Sequence, residues 1–247
     1  MRQLALLFVL AALGPSLLLA QTPQPPWKAE NLQYFPKDIT RQQLTQRMRE
    51  FSFGLNVRCQ YCHVGGDGIS FDGVVWASDE KPAKVKARAM LRMVDEINGP
   101  LLSKLPSRAE PRVTVDCVTC HRGVALPKTL QTTLLEIVND KCAAAAVARY
   151  RELRRDQSLT GRYNFGEWEI NELARQLNEA GKREEAIAIL EMNGEFYPKS
   201  VAIDLMVAEL HVLLGNRDQA LARFRVALEK EPNNPQAKQR IADLEKK

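Results

Sequence analysis

Apolar positions recur with a helical period over most of the chain, and the pattern changes character near residue 126. After Thr40 they fall at Leu44, Met48, Phe51 and Leu55, one stripe of an amphipathic helix. Thr40 followed by Gln43 is a capping-box pattern, and Gly54 predicts the stop. Residues 64–78 are rich in Gly and Asp and read as a loop. Pro82 suits the first turn of a second helix, which runs through "AKVKARAMLRMVDEIN" to a predicted end at Asn98-Gly99-Pro100. A short connection then leads into "VTVDCVTCHRG", Val113 to Gly123. This stretch therefore reads as one small unit used twice: a helix carrying methionine, a connection, and C-x-x-C-H.

Beyond it the repeat is longer. Ala174, Gly181, Ala186 and Pro198 recur as Ala208, Gly215, Ala220 and Pro232, each 34 residues on. Small residues let paired helices approach, Gly turns between them and Pro ends the second. The period resembles tetratricopeptide (TPR) repeats. "AVARYREL", Ala146 to Leu153, echoes "ALARFRVA", Ala220 to Ala227, which predicts a degenerate first repeat over 129–156. "QAKQRIADLEKK" reads as a polar capping helix. The expected organisation is an export segment (1–20), a Pro-rich lead (21–28), a small domain with both clusters (29–125), a degenerate repeat and linker (126–164), and TPR repeats with a cap (165–247). The expected fold class is mainly α: a small domain holding both clusters followed by an α-helical TPR solenoid.

Composition agrees with helices: aromatics are only 6%, and Ala, Leu, Glu, Lys and Arg dominate the second half. The first twenty residues carry Arg2, an apolar core "LALLFVLAAL" and a break at Gly14-Pro15, the form of a cleaved signal peptide. An uncleaved anchor is the alternative, but the apolar run is short for a span of ~20 residues. The chain is thus expected in the periplasm, soluble or peripheral to the inner membrane. The formal charge of +5 is spread without a Lys/Arg run or an aromatic ladder, so nucleic acid is not an expected partner.

The chemistry lies in "CQYCH", Cys59 to His63, and "CVTCH", Cys117 to His121. C-x-x-C-H is the attachment signature of c-type haem. Two thiols at this spacing can form thioethers to the two vinyl groups, and the adjacent histidine then reaches the iron. Cys59, Cys62, Cys117 and Cys120 are the candidate attachment residues, with His63 and His121 as iron ligands. A single zinc site built from the four cysteines would leave both histidines unexplained. A thiol redox pair would want a strand–helix context.

A stable electron carrier needs a second strong axial ligand, usually Met or His. The remaining histidine, His211, lies in the repeat region and reads as structural. Of the methionines, Met48 lies a short way before Cys59 on the apolar stripe and is the candidate for the first iron. Met90 and Met93 compete for the second. Arg58 and Arg122 flank the clusters and could pair with propionates. Cys142 reads as a small packing residue.

"QRMREFSFGLNVRCQYCH" and "KARAMLRMVDEIN…VTVDCVTCHRG" resemble units of the cytochrome c subunit of photosynthetic reaction centres. That family places the second methionine four residues before an Ile-Asn pair, which favours Met93, before Ile97-Asn98, over Met90. Its members usually carry four haems; this chain has two motifs and a TPR tail. The resemblance implies a periplasmic two-haem carrier, not an enzyme, passing electrons between redox protein partners such as a membrane-bound reaction centre or a respiratory complex, with docking through the TPR region. The competing readings are a di-haem peroxidase-like enzyme and a TPR assembly factor in which haem is secondary.

Overall fold

The computed structural model describes residues 27–107, 110–156 and 161–246. The expected export segment and most of the Pro-rich lead lie outside them. The fold is mainly α. The first half carries α1 (Arg41–Leu55), α2 (Pro82–Glu96) and a short α3 (Cys117–His121). The second half carries α4 (Leu130–Asp140), α5 (Ala143–Arg155), α6 (Glu167–Glu179), α7 (Arg183–Phe196), α8 (Val201–Leu213), α9 (Arg217–Lys230) and α10 (Pro235–Glu245). Two short strands, β1 (Val64–Gly65) and β2 (Val74–Val75), pair antiparallel within the Gly-rich loop.

Local chemistry explains the helix ends. Thr40 Oγ1 accepts from Gln43 N, and the Gln43 side chain accepts from Thr40 N, closing the capping box of α1. The helix runs one residue past Gly54 and stops at Asn56, which takes the left-handed conformation (φ 52°). Gly54 is therefore inside the helix and buried, and its reason is contact rather than termination. Likewise Asn98-Gly99-Pro100 does not end the second helix sharply. The chain widens into a π turn over Ile97–Leu101 and then a 3-10 turn over Leu102–Lys104.

The two halves bury very different amounts of apolar surface. From residue 27 to 129, only Gly54 and Val74 are buried among the described residues. From Leu130 onward a continuous core runs through Leu134, Tyr150, Leu173, Ile189 and Val207. A second cluster centres on Phe224 between α8, α9 and α10. Each helix there packs mainly on its neighbours in sequence, so the core is extended along the stack.

The 34-residue period is also geometric. Gly166, Ser200 and Asn234, spaced by that same period, are the N-caps of α6, α8 and α10. Gly181 and Gly215 both turn at φ 78°, which favours glycine. Lys182 and Asn216 then enter α7 and α9 with nearly equal backbone angles. The buried Asn193 joins α7 to α6: its Nδ2 donates to Glu167 O at 3.1 Å and to Asn171 Oδ1 at 2.9 Å. Asp204 pairs with Lys230 at 2.5 Å.

Candidate haem sites

The first cluster follows directly from the end of α1. Asn56 N–H and Val57 N–H return to the last turn, bonding to Phe53 O and Ser52 O. Cys59–Tyr61 then forms a single 3-10 turn in which Cys59 O accepts from Cys62 N at 3.1 Å and His63 N at 2.9 Å. This turn puts both thiols and the imidazole on one compact loop. His63 packs edge-on against Trp76, ring centroids 5.0 Å apart, and Phe71 lies beyond at 5.8 Å from Trp76.

The second cluster is a helix. Asp116 caps α3, its carboxylate accepting from Thr119 N at 3.0 Å, while Thr119 Oγ1 accepts from Asp116 N at 3.0 Å. Arg122 ends it in the left-handed conformation at φ 49°. The chain doubles back so that Val124 O lies 2.9 Å from His121 Nδ1. A proton on Nδ1 donates to that carbonyl and leaves the Nε2 lone pair free for a metal. His63 Nδ1 is buried without such a bond. The nearby Trp76 carbonyl accepts from Lys84 Nζ at 2.6 Å and also bears on the His63 ring. Burial first, then the Lys84 charge, lowers the His63 pKa and keeps the ring neutral, as an iron ligand must be.

Each cluster leans on the helix of the other unit. α1 meets α3 at Gly54: a Cβ there would stand 3.1 Å from Cys117 Cβ, and Gly54 O accepts from Gly123 N at 2.8 Å. The start of α2 meets the first cluster, with Lys81 Nζ donating to Gln60 O. A polar stripe on α2 also holds the segment before α1. Arg88 and Lys84 pair with Asp79 at 2.8 and 3.3 Å, holding its carboxyl well below the usual range. Arg92 donates to Gln33 O at 3.2 Å, and Tyr34 Oη donates to Asp95 at 2.7 Å. None of these bonds is legible as a motif, since each joins segments that the sequence keeps apart.

Met48 is half-buried on α1. Met90 and Met93 are 44% and 45% exposed on α2, so exposure does not separate them. The five cysteines are unpaired. Burial raises the Cys62 and Cys117 thiols, the opposite of an activated redox pair. Among the described residues, no group of three or more His, Cys, Asp or Glu side chains is arranged as zinc requires.

Haem fits what surrounds the clusters. Ile69, Phe71, Trp76, Val118 and Leu126 are all exposed, and this half has almost no core of its own. A folded unit of this size ordinarily buries most of its large apolar side chains. Such side chains gathered about two attachment motifs suit a bulky apolar group that completes the core.

Residues 29–160 match the family model described as the photosynthetic reaction centre cytochrome C subunit. Cytochrome c-554 of Chloroflexus aurantiacus is 34% identical over 98 residues, 39% of this chain and 21% of that protein. The photosynthetic reaction center cytochrome c subunit of Thermochromatium tepidum is 34% identical over 94 residues, 37% of this chain and 20% of that protein. The matched part thus spans about a fifth of the length of these curated relatives.

Proposed function

Because the chain belongs to the photosynthetic reaction centre cytochrome C subunit family, we propose that it is a periplasmic di-haem c-type cytochrome carrying electrons between protein partners. Cys59 and Cys62 would hold one porphyrin by thioethers, and Cys117 and Cys120 the other. His63 and Met48 would ligate the first iron; His121 and Met93, with Met90 as the alternative to Met93, would ligate the second. The iron supplies one-electron chemistry, with methionine ligation favouring a relatively high potential. The chain's own residues orient and shield: Val124 O sets the His121 tautomer, Trp76 packs the edge of His63, and the exposed apolar side chains would cover the macrocycles.

The observation that carries this reading is the near-absence of a core between residues 27 and 129 beside two C-x-x-C-H motifs. The repeating caps and turns of α6–α10 support the TPR reading, in which this region docks the carrier on a protein partner. No described helix is long and apolar enough to cross a membrane. Pyridine haemochrome analysis should give two haems per chain, and the oxidised protein should show a far-red methionine–iron band. One haem per chain, or no such band, overturns the assignment.

A further inference from the structure

Asn98 stands where α2 widens, and its side chain is spent elsewhere than on that helix. Its Nδ2 donates to Val115 O at 2.7 Å, and its Oδ1 accepts from Val115 N at 2.7 Å. One amide therefore closes both arms on one residue's backbone, as a neighbouring strand would. Val115 is two residues before Cys117, and Asn98 is five residues after Met93. The two short, part-buried bonds tie the methionine-bearing helix to the chain entering the second motif.

The first unit needs no such tie. Met48 and Cys59 are close in sequence, joined by the hydrogen-bonded turn at Asn56 and Val57. The stretch from Met93 to Cys117 is more than twice as long. Leu101 and Leu105, on the described part of that connection, are both more than half exposed. The Asn98 amide links its two ends.

We propose that Asn98 is a positioning residue for the second haem, its clamp on Val115 holding α2 in register with Cys117–His121 so that a methionine of α2 can serve the iron opposite His121. This rests on the two-haem reading above. Asparagine alone suits the clamp. Aspartate has no donor for Val115 O and sets a carboxylate against it, glutamine is one methylene too long, and leucine offers neither group.

The test uses Asn98→Leu and Asn98→Asp in the full-length haem-loaded protein, with Met93→Ala as reference. Both variants should retain two haems, because the thioethers do not depend on the clamp. The far-red band per chain should fall to about half, one of two methionine-ligated irons having lost its sulfur. One midpoint potential should fall while the other stays. Wild-type absorbance and potentials in both variants would overturn the proposal, and so would an equal shift of both potentials, which marks general loosening. A wild-type protein with fewer than two haems would instead overturn the two-haem reading, and this inference with it.

Discussion

Replacing Gly54 by alanine separates two explanations of that residue by the sign of the effect. A glycine inside α1 with open space beside it would be improved by alanine, by about 1 kcal/mol of helix propensity. The packing points the other way. The new methyl would stand 3.1 Å from Cys117 Cβ and 3.4 Å from Val118 N, closer than the ~3.5 Å of ordinary contact between carbons. Neither neighbour can swing aside, since both belong to the first turn of α3, fixed by the Asp116–Thr119 capping box. α1 and α3 must part, and the 2.8 Å bond from Gly123 N to Gly54 O stretches with them. Overpacking costs about 1–3 kcal/mol, and a weakened hydrogen bond adds about 0.5–1 kcal/mol. Offsetting the propensity gain leaves a net loss of about 0.5–3 kcal/mol for alanine, centred on about 2, and more for the branched valine. Thermal unfolding followed in the Soret band should show the midpoint falling by about 5 °C or more for alanine, and further for valine. An unchanged or raised midpoint in Gly54→Ala would refute the close approach.

Tyr34 should titrate late: burial first, then the bond to Asp95, pushes its phenol up to about 12. A folded-state value above the unfolded one means stability is fully present below about pH 10 and lost as pH rises through about 12. Phenolate absorbance should place Tyr34 in that window, as the late component that changes with Asp95. Asp95→Asn should move it down toward 10, and no movement would count against the contact. Arg154 lies 4.4 Å from the Phe196 ring centroid and donates to Tyr150 Oη at 2.7 Å and Phe165 O at 3.1 Å. Arg154→Ala should cost the α4–α10 region about 2–4 kcal/mol by denaturant unfolding, with lysine restoring less than half because it cannot stack; a loss under about 1 kcal/mol would show that the cage is not structural.

The residues legible in the sequence are those whose reason is local. Thr40 and Gln43 announce the start of α1 because a capping box closes within three residues. The 34-residue period is visible because each turn between helices asks for glycine at the same place, as Gly181 and Gly215 show. The same local rules make Gly54 and Asn98 look like stops, and both have distant reasons instead. Gly54 answers to Cys117, and Asn98 to Val115 across a connection with no periodicity. His121 is named by its motif, but the carbonyl that sets its tautomer comes from a left-handed turn at Arg122 that no motif specifies. Arg154 reads as a surface charge on a helix, and only the meeting of α5 with α7 and the segment before α6 encloses it.

Repetition in sequence also means different things in the two halves. In the C-terminal stack each helix pair touches its neighbours, so its units behave as additive modules. In the first half the two copies are cross-braced. The helix before the first motif supports the second motif through Gly54 and Gly123, and the helix before the second motif supports the first through Lys81 and Lys84. Each cluster is thus braced by the other copy as well as by its own helix, and among the described residues the two copies bury only Gly54 and Val74. A chain shortened to one C-x-x-C-H unit would therefore lose more than one attachment site: it would lose the brace that orients the site it kept. This is a physical reason for the motifs to occur here as a pair.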